Sequence, residues 1–262
     1  MTSSDRDQAA PPRGYFQSTQ HPLQSLIFLS PLILFYEAGL VVYGTDQFGR
    51  VFKDIYARRL LNDFFEWFGI SAYYLGPLIV VAVLLSLHLV RRDPWHFDVQ
   101  RYAYMGVESL ALSLPLFVFS LVFFRARSAQ SVLAETDSSG AAAAWQSELV
   151  YHVGAGIYEE LLFRLIGLAL LHTIFRDLLR IKDRWSIPLS IALSAIAFAY
   201  YHFTQMNPFQ WTTPQWSLFF FYTLAGVYFA GIYLSRGFGI VAGTHAMYDV
   251  LILMFRLFDQ PG

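Results

Sequence analysis

The sequence predicts an all-α protein, a polytopic bundle of seven or eight transmembrane helices. Charged residues make up only 14% of the 262-residue chain, against roughly 25% in ordinary soluble domains. Mean hydropathy is +0.43, and aromatic residues, which anchor helices at lipid–water boundaries, reach 18%. Apolar runs of about 20 residues, enough to cross a hydrocarbon layer as helix, fall at 25–43, 69–90, 102–124, 148–172, 186–203, 216–235 and 240–258.

Residues 1–24 are rich in Ser, Gln, Pro and charge and lack the basic-then-apolar order of a signal peptide. They read as a disordered tail outside the membrane, and 25–262 reads as a single membrane-embedded helical domain. Between the first two spans, residues 44–68 mix Arg50, Lys53, Asp54, Arg58, Arg59, Asp63 and Glu66 with aromatics. That pattern suits an amphipathic helix lying at the interface, or an eighth crossing. Residues 125–147 form a polar loop with an alanine run, and no repeat is visible. Lys and Arg favour the N-terminal side, chiefly through Arg176, Arg180, Lys182 and Arg184, which puts the N-terminus in the cytoplasm.

Composition also excludes whole classes of function. With 18 Lys plus Arg against 19 Asp plus Glu, no basic field exists to attract nucleic acid; the lipid bilayer is the expected surrounding. The absence of cysteine removes disulfides, thiol nucleophiles and thiolate metal sites. No G-x-S-x-G elbow supports a serine hydrolase.

Chemistry concentrates instead at membrane depth, where each ionisable group costs roughly 2.5–3.5 kcal/mol on insertion scales. His88, Glu148, His172 and Arg256 lie near span ends and can reach the interface. Glu37 and Glu108 read as protonated acids bonded to a neighbouring helix, and His152 as a packing or supporting group. The segment Tyr158-Glu159-Glu160-Leu161-Leu162-Phe163-Arg164 is different. Glu160 and Arg164 are four apart in the favourable acid-first order and can pair. Glu159, turned about 100° away, has no partner in its own helix.

Helix arithmetic gives Glu159 its neighbours. Glu159 and His202 are each 17 residues from the 176–185 loop, or about 25 Å at 1.5 Å per residue, so an antiparallel hairpin places them at one depth. His245 and Asp249 share a face of the last span. Counted as helix from Arg236, however, His245 lies only about 13 Å deep. An extended stretch through Gly237, Gly239 and Gly243 dipping into a cavity would reconcile the depths, with Thr244 capping a helix at His245.

Three patterns in these spans resemble those of the CPBP intramembrane proteases, the family of prenyl-protein CAAX endopeptidases, bacteriocin-processing proteases and Abi proteins. E-E-x-x-x-R reads Glu159-Glu160-Leu161-Leu162-Phe163-Arg164, F-x-x-x-H reads Phe198-Ala199-Tyr200-Tyr201-His202, and H-x-x-x-N/D reads His245-Ala246-Met247-Tyr248-Asp249. The resemblance covers roughly 148–258 and implies a catalytic core there, with peptide-bond hydrolysis of a membrane-associated protein or peptide. It implies that Glu159 and His202 activate water, that His245 and Asp249 stand on the oxyanion side, and that Glu160 and Arg164 hold the helix and tune Glu159. Arg164 meeting a substrate carboxylate is an alternative.

Asp249 stands where the family pattern allows an amide. An ionised carboxylate only accepts hydrogen bonds, so Asp249 is either protonated or orients His245 from behind; the second is preferred. The family's mechanism implies no cofactor, although one Glu, two His and one Asp also make a plausible zinc set. From a different class, a non-proteolytic scaffold, immunity or transport protein would use the same groups as a proton relay.

Overall fold

The computed structural model describes residues 14–44, 55–70, 75–125, 141–203 and 211–259. Every element among them is helical: α1 (Tyr15–Ser18), α2 (Pro22–Tyr43), α3 (Tyr56–Glu66), α4 (Leu75–Arg91), α5 (Val99–Arg125), α6 (Ala141–Glu160), α7 (Ala169–Thr173), α8 (Asp183–Tyr201), α9 (Thr213–Arg236) and α10 (Phe238–Asp259). Two π-helical stretches, Leu161–Leu168 and Ile174–Leu178, join α6 to α7 and prolong α7.

Among the described residues, four helices are long and apolar enough to cross a membrane: Pro22–Tyr43, Val99–Phe124, Thr213–Arg236 and Phe238–Phe258. Leu75–Arg91 is apolar but shorter. The spans expected at 148–172 and 186–203 are helical as well, yet they carry the acids and small polar residues of the site, which lowers their hydropathy. Among the described residues, length and apolarity thus identify four of the seven or eight crossings expected.

The last helix, α10, is the centre of the bundle and packs against α2, α5, α6 and α9. Small residues set the spacing. A Cβ built on Gly156 would lie 2.5 Å from the backbone nitrogen of Ala246, and one on Gly226 would lie 2.9 Å from Ala195 Cα. Such backbone approach is how helices associate where lipid is as apolar as the side chains. It also brings the turns that carry the acids and histidines against one another.

Several expectations change. The tail was expected to reach residue 24, but α1 and the residues after it are packed: Ser18 and Thr19 are buried, and Gln20 Nε2 donates to the Ser235 carbonyl at 2.7 Å. Tyr15 donates to Glu108 at 2.6 Å. Burial first, and then the Glu108 carboxylate, push the Tyr15 hydroxyl above its ordinary range, which keeps it a donor. Residues 1–13 and 126–140 lie outside the described residues, and the alanine run expected in the 125–147 loop is instead the first turn of α6.

Glu37 and Glu108 do bond to neighbouring helices, but through arginines. Glu108 meets Arg236 Nη2 at 2.8 Å; Glu37 meets Arg58 Nη2 at 3.2 Å and the Tyr158 hydroxyl at 3.0 Å. A guanidinium does not give up its proton, so each carboxylate is met as an ion pair. Arg58 is 1% exposed because α3 packs onto α4 and α6 instead of lying on the surface by itself.

The glycine-rich dip is also absent. Only Gly237 breaks the chain, with φ +86 and its N–H donating to the Tyr233 carbonyl, and α10 is regular helix from Phe238. The left-handed φ is the conformation glycine adopts without a Cβ penalty. Thr244 bonds the carbonyl four residues back at 2.7 Å, so it caps nothing. His245 reaches its partners because the α9–α10 turn is packed inside the protein: Arg236 is 8% exposed and Phe238 4%. Depth counted from a turn assumed to be at the surface was therefore too shallow.

Candidate active site

The site is built where α6, α8 and α10 meet. Glu159 and Glu160 end the α-helical part of α6, and the π segment begins at the next residue. A π segment replaces i→i+4 bonds by i→i+5 bonds and is frequent at functional sites. The Phe163 carbonyl within it accepts from Ser194 Oγ at 2.8 Å, which fixes α8 beside the acids.

Glu159 is 6% exposed. Its Oε2 lies 3.8 Å from His202 Nε2 and 4.0 Å from His245 Nε2, with no direct hydrogen bond among the described residues. His202 is the residue after α8 and folds back on it, its Nδ1 2.8 Å from the Phe198 carbonyl. A carbonyl only accepts, so Nδ1 carries the hydrogen and Nε2 is left for Glu159. Tyr222 stacks on the ring at 4.1 Å and 14°.

Behind these, Glu160 is fully buried and uses both oxygens. Oε1 meets His245 Nδ1 at 2.8 Å, and Oε2 meets Arg164 Nε at 3.1 Å. The i,i+4 pair of the sequence is present and serves a second purpose, since the same carboxylate holds the imidazole of α10. Phe229 stacks on that imidazole at 4.6 Å and 19°. Arg164 is 0% exposed, lies 4.3 Å above the Phe198 ring and donates from Nη2 to the Gly226 carbonyl at 3.2 Å. Enclosed in this way, it cannot meet a substrate carboxylate.

Asp249 lies on the other edge of His245. Its Oδ2 is 3.7 Å from His245 Nε2 and 3.6 Å from His152 Nδ1. The carboxylate behind His245 is thus Glu160, while Asp249 shares the Nε2 edge with Glu159. His152, Asp249 and His202, with side chains 20%, 18% and 22% exposed, rim the site over Glu159 at 7%, so the site opens on their side.

One neighbour was not foreseen. Tyr201 sits directly before the histidine of the second pattern, its ring 5.2 Å from that of His202 and its hydroxyl accepting from the Ala57 N–H at 2.9 Å, where side-chain spacing gave no reason to single it out. Among the groups read as bland, His172 bonds Ser186 at 3.0 Å and His88 packs edge-on to Trp95 at 4.5 Å; both serve packing. No cluster of three or more His, Cys, Asp or Glu among the described residues has the arrangement of a metal site.

Residues 142–251 match the family model described as type II CAAX prenyl endopeptidase Rce1-like. The matched stretch contains all seven specified residues of the three patterns. No curated protein and no solved structure is significantly similar to the chain.

Proposed function

We propose that this chain, whose residues 142–251 match the Rce1-like family model, is an intramembrane glutamate-dependent endopeptidase of the CPBP type acting on a membrane-associated protein or peptide. The observation that carries this reading is the gap between Glu159 Oε2 and the two Nε2 atoms, 3.8 and 4.0 Å. Those separations are too long for direct hydrogen bonds and short enough for one water to bridge.

Glu159 takes a proton from that water, and the oxygen attacks the scissile carbonyl carbon. His202 Nε2 orients the same water as an acceptor. The carbonyl oxygen becomes an oxyanion facing His245 Nε2. Because Nδ1–H already serves Glu160, His245 donates to the oxyanion only as imidazolium, the form in which both nitrogens are donors. The C–N bond then breaks as the proton held by Glu159 passes to the departing amine, leaving a carboxylate and a free amino terminus.

Asp249, 3.7 Å from His245 Nε2 and 3.6 Å from His152 Nδ1, acts as the counter-charge of the His245 imidazolium. Asp249→Asn is expected to lower kcat about 10- to 100-fold, since the imidazolium that serves the oxyanion, a kind of donor worth about 10²–10³ in kcat, loses its counter-charge. Wild-type turnover in that variant would mean that residue 249 contacts the oxyanion itself.

The functional reading is tested by comparing protein termini in cells that carry the wild type or Glu159→Ala. New internal termini that depend on Glu159 are the expected result. Identical terminomes would favour a scaffold or transport role. The proposed route uses no metal, so turnover by purified protein is expected to survive dialysis against chelator.

A further inference from the structure

Resting on the peptidase reading, we propose that Tyr222 and Phe229 are positioning residues, through which α9 sets the ring planes of His202 and His245. The three sequence patterns draw their side chains from α6, α8 and α10 and from the turns that follow α6 and α8; α9 supplies none of them. It nevertheless meets both imidazoles. The Tyr222 ring lies 4.1 Å from that of His202 at 14°, and the Phe229 ring lies 4.6 Å from that of His245 at 19°. Both contacts are near-parallel stacks. The two aromatics are seven positions apart, about two turns of helix, and so share one face of α9.

Gly226 stands between them on that face. A Cβ there would lie 2.9 Å from Ala195 Cα, so only a residue without a side chain lets α9 close on α8 and bring both rings to their partners. Phe198 of α8 completes the frame, edge-on to His202 at 4.8 Å and 67° and to His245 at 5.9 Å and 71°. The stacks supply a restraint that the hydrogen bonds leave open. Each imidazole is held at Nδ1, His202 by the Phe198 carbonyl and His245 by Glu160, both at 2.8 Å. A ring held at one nitrogen still rocks, and rocking carries the far nitrogen, Nε2, across the gaps of 3.8 and 4.0 Å that separate it from Glu159. A flat ring lying against the imidazole face opposes that motion.

The test separates an aromatic face from bulk. With purified enzyme and a peptide reporter, Tyr222→Leu is expected to lower kcat per folded molecule about 10- to 100-fold with KM within about twofold of wild type, since a displacement of about 1 Å near the reacting atoms costs up to about 10²-fold. Tyr222→Phe keeps the face and is expected to restore turnover to within twofold. Phe229→Leu tests the second stack separately and is expected to lower kcat as well; its Tm should also fall, because the ring lies 5.5 Å from the Arg164 guanidinium. Phe221→Leu is the packing control. Phe221 is 2% exposed on the same helix and stacks on Phe119 at 5.7 Å and 7°, so its loss should lower Tm and leave kcat in place. Turnover of Tyr222→Leu within twofold of wild type overturns the inference, as does an equal loss of kcat in Tyr222→Phe or in Phe221→Leu, and an undiminished Phe229→Leu overturns it for His245. Loss of turnover in Glu159→Gln alongside an active Tyr222→Leu sinks this inference alone, whereas an active Glu159→Gln sinks the peptidase reading and the positioning role with it.

Discussion

Glu159→Gln is expected to reduce kcat by about 10³-fold or more, within the range attributed to a positioned general base, with no change in Tm. The amide is isosteric, so packing is retained while the proton acceptor is lost. His202→Ala should also be severe, since the ring whose Nε2 faces the Glu159 gap is removed. The double variant should be little worse than Glu159→Gln alone, because groups that act on one water lose their effect together. Multiplying losses would show that the two residues serve separate steps, and wild-type turnover by Glu159→Gln would end the hydrolytic reading altogether.

The part of this site that was legible in the sequence is the part set by local geometry. Glu160 and Arg164 follow from i,i+4 spacing, and the meeting of Glu159 with His202 follows from equal helix lengths on either side of one short loop. His245 was placed on the correct face but at the wrong depth, because the level of the α9–α10 turn depends on the packing around Arg236 and Phe238 and has no local signature. Arginines were harder to place. Arg58 and Arg236 read as interfacial charges, yet each is drawn inward by a carboxylate far away in sequence, Glu37 and Glu108. The Ala57–Tyr201 contact spans 144 positions and joins a backbone amide to a phenol, so no residue pattern announces it. Fold class was the easiest inference, since apolar composition and helical run lengths are summed over the whole chain.

Loss of Arg164 should be the most destabilising single change. Arg164 and Glu160 are both 0% exposed, and removing one member of a buried pair leaves the other charge uncompensated at a cost of about 3–5 kcal/mol. Arg164→Met is therefore expected to lower Tm in detergent markedly and to reduce folded yield. Replacing both residues tests the cause: an apolar pair of similar volume is often neutral, so Glu160→Met with Arg164→Met should recover much of the lost stability. Activity should stay absent in the double variant, because His245 Nδ1 loses the oxygen that lies 2.8 Å away and its ring is no longer held against Glu159. A double variant that regains both stability and turnover would show that Glu160 matters only as the counter-ion of Arg164. One that regains neither would mean that the π segment itself needs the ion pair in order to form.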